Sequence, residues 1–195
     1  MTCDVSVKKL FKQICRDIFD NQGSINILVN AAGITIPNNA SSDMYDNFNK
    51  TLDLNLRSVY STSEIVKDYM SKNSDGAIIN ITSIASKMGF PDNPGYVASK
   101  GGLMMMTKAL SLDYSKYNIR VNNIAPGYIK TTMTENSYFD KDKYQNRVNH
   151  TILGRWGEPS DLVGAAIFLS SDASSYITGT NIIVDGGWTA KGMIS

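Results

Sequence analysis

Three residues make the most reactive arrangement in the sequence. They are Ser83, Tyr96 and Lys100, within the stretch SIASKMGFPDNPGYVASK. The apolar run Ala77-Ile78-Ile79-Asn80-Ile81-Thr82 leads straight into it. Runs of that kind are buried strands of parallel sheets. Ser83 is therefore expected at a strand's carboxyl end, where open α/β sheets keep their sites. Gly89, Pro91, Asn93, Pro94 and Gly95 mark a loop. Beyond it, Tyr96 and Lys100 stand four apart at the start of a helical pattern and share one face. A free phenol titrates near ~10 and is a poor acid or base at neutral pH. A lysine ammonium one turn away favours the phenolate and lowers that pKa. Ser83 could hold a substrate oxygen beside the phenol. The chemistry this suits is proton transfer to or from an oxygen. Tyr-x-x-x-Lys alone is a common accident of helices; the strand, the loop and the serine give it weight.

Such residues need a sheet to hold them, and the chain can build one. Its 195 residues suffice for one buried core. Internal repeats, linkers and low-complexity segments are missing, so a single domain over residues 1–195 is expected. Hydrophobic residues make 42% and charged residues 19%, an ordinary globular balance. A formal net charge of +1 argues against a nucleic-acid surface built on phosphate contacts. No apolar run approaches the ~20 residues of a membrane span, and MTCDVSVKKL has no signal-peptide apolar region. Cys3 and Cys15 form neither a metal-ligand spacing nor a disulfide framework. No metal is expected, and a reducing, cytoplasmic compartment fits. Asn39-Ala40-Ser41, Asn49-Lys50-Thr51, Asn80-Ile81-Thr82 and Asn149-His150-Thr151 match the glycosylation sequon. Without an export signal they read as chance.

Taken in order, Val7, Leu10, Phe11, Ile14, Cys15, Ile18 and Phe19 predict an amphipathic helix over 6–21, with Gly23 past its end. Cys15 lies on its apolar face as packing. Residues 25–29 form a short strand ending in Asn30-Ala31-Ala32-Gly33, a second carboxyl end. A long helix is expected over 42–70, with Ser41 or Ser42 as N-cap and Asp43 suiting the dipole. Its buried stripe includes Phe48, Leu52, Leu56 and Val59, and Asn55 falls on that stripe. A buried amide must find partners or cost about 1–3 kcal/mol. Asn55 is thus either a satisfied core amide or a functional group. The Tyr96 helix runs to about residue 114 and contains Gly101 and Gly102, each costing about 1 kcal/mol relative to alanine. Close approach of another backbone or a ligand is the expected compensation. Met104, Met105 and Met106 read as core and subunit interface. A strand over 120–125 stops at Pro126-Gly127. Residues 128–157 are a polar excursion of weak periodicity, read as a lid or substrate loop. His150 there reads as a surface residue, since it has no partners at ligand or triad spacing. A helix over 161–170, entered through Pro159, and a strand over 182–184 complete the pattern.

These pieces, in this order, resemble the short-chain dehydrogenase/reductase family over essentially the whole chain. Asp4-Val5 resembles the pair that contacts the adenine ring, and Asn30-Ala31-Ala32-Gly33 the motif that closes over the adenine side of the cofactor. Asn55 matches the helix asparagine that holds a water in the proton relay; with Ser83, Tyr96 and Lys100 it completes a catalytic tetrad. Pro126-Gly127 and Thr131 match the segment beside the nicotinamide, where the backbone of Ile129 would meet the carboxamide. Gly154-Arg155 with Pro159, and Ser174-Ser175-Tyr176-Ile177-Thr178-Gly179 through Asp185-Gly186-Gly187, match the family's C-terminal signature. The resemblance implies a Rossmann-like, doubly wound α/β fold with a parallel sheet. It implies NAD or NADP as cofactor and a small-molecule secondary alcohol or ketone as substrate, with neither nucleic acid nor membrane as partner. It also implies a homodimer or homotetramer. Within the family the chain looks most like members named gluconate 5-dehydrogenase, and next like 3-oxoacyl-acyl-carrier-protein reductases.

Measured against the family, the chain is expected to lack the first two strands and the glycine-rich loop whose helix N-terminus binds the pyrophosphate. The strand that distinguishes NAD from NADP would be one of them, so that preference is not readable. The strand at 25–29 would then keep a bare edge, and this polypeptide alone would be expected to bind NAD(H) and NADP(H) negligibly and to turn nothing over. The alternative function is a catalytically inactive, truncated paralogue acting as a binding or assembly module.

Overall fold

Each apolar run becomes a strand of one parallel sheet. The chain is described here from a computed structural model, over residues 1–37 and 43–192. Strands β1 (Ile27–Asn30), β2 (Gly76–Ile81), β3 (Ile119–Pro126) and β4 (Asn181–Val184) lie side by side in that order, all parallel. Helices α1 (Lys8–Gln22), α3 (Ser58–Asn73) and α4 (Pro94–Tyr114) cover one face. There Ile65, Val66, Met70, Leu110 and Tyr114 close on Ile78 and Val121, with Cys15 buried among them. Helix α7 (Val163–Ser170) covers the other, where Leu169 packs on Ile79 and Ile124. Side chains alternate across a strand, so Ile78 and Ile79 serve opposite layers. The doubly wound arrangement is what the sequence predicts. Ile27 and Val29 share the α7 face but are about half exposed, at 50% and 46%. Val7 and Leu10, expected on the buried face of α1, are exposed too.

The helix expected over 42–70 is two helices joined by a wider turn. Helix α2 (Met44–Leu52) passes through a π turn at Asp53–Arg57 into α3. Such turns often mark functional sites, and here Asn55 lies at its centre. Ser41 and Ser42, like the sequon at Asn39, lie outside the described residues; Asp43 is the N-cap, accepting from the Asp46 N–H at 2.9 Å. The expected apolar stripe is only half right. Phe48, Leu52 and Leu56 are half-buried, whereas Asn47, Thr51, Asn55 and Ser58 are buried.

The glycines of α4 need one correction. A Cβ on Gly102 would meet Leu56 at 3.1 Å, a close packing, but one on Gly101 would meet nothing nearer than the Ser86 carbonyl oxygen at 3.9 Å. The closest backbone approach is at Gly95, where a Cβ would come 3.1 Å from the Phe48 Cα. The excursion after β3 is also more ordered than its weak periodicity suggested. It forms helices α5 (Glu135–Phe139) and α6 (Lys141–His150). His150, expected at the surface, is half-buried with its ring 4.2 Å from that of Trp188.

One row of polar side chains crosses the sheet. Asn30, Asn80, Asn123 and Asn181 are in register on β1, β2, β3 and β4. Asn30 donates to Asn80 Oδ1 at 2.9 Å, and Asn80 donates to Thr107 Oγ1 of α4 at 2.8 Å. Thr107 in turn donates to Asn123 Oδ1 at 2.6 Å. Thr62 of α3 donates to Asn30 Oδ1 at 2.8 Å. The row therefore docks both helices on the sheet. Thr107→Val, nearly isosteric, would leave two buried groups without this partner at about 1–3 kcal/mol each. It should destabilise the chain by about 2–6 kcal/mol, read as a lower urea midpoint at unchanged m. A midpoint equal to the parent's would refute the row's structural weight.

Candidate active site

Strand β2 ends by handing its chain to a short 3-10 turn, and Ser83 caps that turn. Its backbone is extended and its Oγ accepts the Ala85 N–H at 3.1 Å. Helix α4 opens at Pro94, whose fixed φ suits the first helical position. Tyr96 and Lys100 follow on its inner side. With Ser83 they line one cavity of about 580 Å³ at the carboxyl ends of the strands. The sequence placed these three together, and the structure brings them together.

Burial decides the electrostatics of this trio. Lys100 is only 5% exposed and donates from Nζ to the Ile81 carbonyl at 2.7 Å. Its Nζ lies 5.8 Å from the centre of the Tyr96 ring. No ion pair offsets the loss of water among the described residues, and burial pushes the ammonium down to about 8. Burial also pushes the Tyr96 phenol above its usual value; a hydrogen bond from Ser83 opposes this and Tyr128 adds to it. The spacing argument had Lys100 lowering the phenol. In this structure the sign is reversed, because both groups leave water together and the ammonium is committed to Ile81.

The Asn55 amide is fully partnered. Its Oδ1 accepts the Ile34 N–H at 2.8 Å, and its Nδ2 donates to the Ile34 carbonyl at 2.8 Å and to Ser99 Oγ at 3.1 Å. Ser99 Oγ donates to the Tyr96 carbonyl at 2.8 Å. The amide thus ties the segment after β1 to the helix of Tyr96. Ser99 was missed by the sequence reading, although its i+3 spacing from Tyr96 carries the signal.

The cofactor candidates divide. Ala31, Gly33, Pro126, Gly127, Ile129 and Thr131 line the cavity. Ala32 is exposed and is not among the lining residues. The Asn30 side chain faces the sheet core, bonded to Asn80 and Thr62. Asp4 and Val5 lie in a turn before α1, where Asp4 Oδ1 accepts from the Ser6 N–H and hydroxyl at 2.9 and 2.7 Å. Neither lines the cavity, so the structure does not join them to the trio. Thr131 caps a short turn with Thr134, whose hydroxyl donates to the Ile129 carbonyl at 2.6 Å. Gly127 can only be glycine: a Cβ there would sit 2.7 Å from the Asp185 Cβ. Beside Pro159, Arg155 forks onto Asp161 at 2.7 and 2.9 Å and holds that carboxyl down to about 2. Thr35 and Leu162 also line the cavity; no spacing rule pointed to them.

Comparison with known proteins agrees with this geometry. A family model described as enoyl-(acyl carrier protein) reductase matches residues 1–189. The 2-dehydro-3-deoxy-D-gluconate 5-dehydrogenase of Dickeya dadantii is 41% identical over 170 residues, 87% of this chain and 67% of that protein. The 3-oxoacyl-(acyl-carrier-protein) reductase of Thermotoga maritima is 34% identical over 184 residues, 94% of this chain and 74% of that protein. A gluconate 5-dehydrogenase from Burkholderia cenocepacia, solved with NADP and tartrate, superposes with a TM-score of 0.91 at 34% identity. The match covers 97% of this chain and 74% of that one. Among the described residues, no helix is long and apolar enough to cross a membrane, and no group of three His, Cys, Asp or Glu could hold a metal.

Lys100 gives a direct test. With 15N-labelled lysine, one side-chain amine should titrate near about 8, well below the others, and vanish from the spectrum in Lys100→Met. A full set of amines titrating together near the usual ~10.4 would overturn the buried-lysine description.

Proposed function

The chain belongs to the short-chain dehydrogenase/reductase family, and on that premise we propose that it interconverts a secondary alcohol and a ketone with NAD or NADP. What supports this reading is that Ser83, Tyr96 and Lys100 line one cavity at the carboxyl ends of the strands. Tyr96, held above its usual pKa by burial, stands protonated at neutral pH. It can donate from its hydroxyl to a carbonyl oxygen in the reducing direction and takes the proton back in the other. Ser83 orients the substrate oxygen beside that phenol. Asn55, with a water, is assigned the reloading of the proton.

The residues fit the nicotinamide end of a dinucleotide. A Cβ on Gly33 would lie 3.6 Å from Lys100 Nζ, so the glycine leaves the amine open to the cavity. Lys100 would then hold the ribose hydroxyls, and the Ile129 backbone, with Pro126, Gly127 and Thr131, the carboxamide. When bound, the dinucleotide supplies or accepts the hydride. Asp4, Val5, Asn30, Ala31 and Ala32 are assigned to the adenine side by resemblance alone. NADP is favoured over NAD by the Burkholderia, Beutenbergia and Agrobacterium neighbours that were solved with it.

The substrate class we favour is a hydroxylated carboxylic acid, because relatives at 36–41% identity carry 2-dehydro-3-deoxy-D-gluconate dehydrogenase names. An acyl-carrier-linked 3-ketone is the second reading, on the Thermotoga relative. The non-catalytic module is disfavoured, since these relatives are named as enzymes. We also propose a cytoplasmic homodimer or homotetramer of one-domain subunits, on two grounds. Cys3 and Cys15 are free, and α3 and α4 expose Tyr60, Met105 and Leu112.

Two measurements test these proposals. Tyr96→Phe removes only the acid/base hydroxyl, so turnover should fall at least ~100-fold while dinucleotide affinity by calorimetry holds; near-parental turnover would sink the assignment. For assembly, Met105→Glu with Leu112→Glu should lower the sedimenting mass. A parent that sediments as a monomer would contradict the oligomer.

A further inference from the structure

The helix that carries Tyr96 begins without the cap its sequence offers. Asn93 stands at the N-cap of α4, where an asparagine oxygen ordinarily accepts one of the first free helical N–H groups. It makes no such bond. Its Oδ1 instead accepts the Thr35 hydroxyl at 2.9 Å, across 58 residues of sequence. Its Nδ2 reaches the Pro91 carbonyl at 3.5 Å. A short polar side chain that forgoes its local bond for a distant one is spending it on tertiary position.

The distant partner is well placed. Thr35 lines the same cavity as Ser83, Tyr96 and Lys100. It lies in a segment, 33–35, with neither helix nor strand of its own. One residue earlier, Ile34 is gripped through both backbone groups by Asn55. The segment is therefore held from the π turn at Ile34 and from the start of α4 at Thr35. Gly33 completes it, running close to Lys100. Only the Thr35 hold comes from the residues just before Tyr96.

We infer that Asn93 is a positioning residue: through its bond to Thr35 it fixes the cavity wall 33–35 against the start of the Tyr96 helix. The bond sets the spacing between that wall and the phenol. This rests on the oxidoreductase reading of the cavity.

Asn93→Ser separates the two roles of the side chain. Serine caps a helix well but is too short to reach Thr35. Thr35→Val removes the hydroxyl at almost constant shape. Both variants and the double variant are made in the 195-residue chain. Each single change should lower kcat/KM for the ketone about threefold to tenfold, the scale of one neutral hydrogen bond. The double change should be no worse than either single one. Hydrogen exchange should rise in segment 33–35 for both, while the thermal midpoint of Asn93→Ser does not fall. Asn93→Asp, which keeps an acceptor oxygen in place, should lose less kcat/KM than Asn93→Ser. The inference is overturned if Asn93→Ser leaves either kcat/KM or the exchange of 33–35 at the parental level, or if the two effects multiply. A parent that turns over no ketone defeats the oxidoreductase reading instead. Exchange at 33–35 then decides alone, raised exchange upholding the latch and parental exchange overturning it.

Discussion

The structure depends on a line of buried amides that must find partners. An asparagine inside a sheet costs more than it contributes unless its donors and acceptor are met. Asn30 and Asn80 meet that condition through each other and through Thr62 and Thr107 of the covering helices, and Thr107 also serves the Asn123 acceptor. A shift of one residue in any strand would turn its asparagine to the opposite face. The row therefore fixes register in a way that the isoleucines around it do not. It also governs the site. Gly33, Ser83 and Pro126 each stand three residues beyond one of these asparagines. Locking the asparagines side by side brings the three strand ends level, and the cavity opens at that level.

Dehydration then sets the chemistry. Lys100 and Tyr96 both lie where their charged forms are disfavoured. The lysine still carries its proton at neutral pH, but its margin is small. The phenol keeps its own proton. The Ile81 carbonyl is the group that holds the lysine there. It belongs to the last residue of β2, so the position of the amine again follows from the sheet.

Aromatic packing holds the segment after β3 in place. The Tyr128 ring lies 4.6 Å from Trp188 and 5.6 Å from Trp156, with the Arg147 guanidinium 4.5 Å above it. Tyr144 stacks on Trp156 at 6.1 Å. Edge-to-face and cation contacts of this kind are each worth about 0.5–1.5 kcal/mol. Together they fold α5 and α6 back onto the sheet's end. The segment after β3 is thus a packed cap, and Gly186 and Gly187, just beyond β4, fit closely against its Thr151 and Ile152.

The sequence by itself determined the strands, the double layer of helices and the trio of Ser83, Tyr96 and Lys100. These follow from short-range rules: an apolar run is buried, a Pro-Gly loop breaks it, and residues four apart share a helical face. What the tertiary structure decided rests on contacts between distant segments. The partners of Asn80, within its apolar run, appeared only once β1 and β3 were in register beside it. The partners of the Asn55 amide lie at Ile34, 21 residues away, on both its donor and its acceptor, where no spacing rule points. The side-chain partners of Asp4, in a local turn, and of Asn30, across the sheet, also came only from the folded chain. The periodicity of the 42–70 segment hid a π turn, since one added residue barely disturbs a 3.6-residue pattern. Even the sign of the Tyr96 shift lay beyond the sequence. Spacing states which charge is near, but only the folded chain states how much water has left.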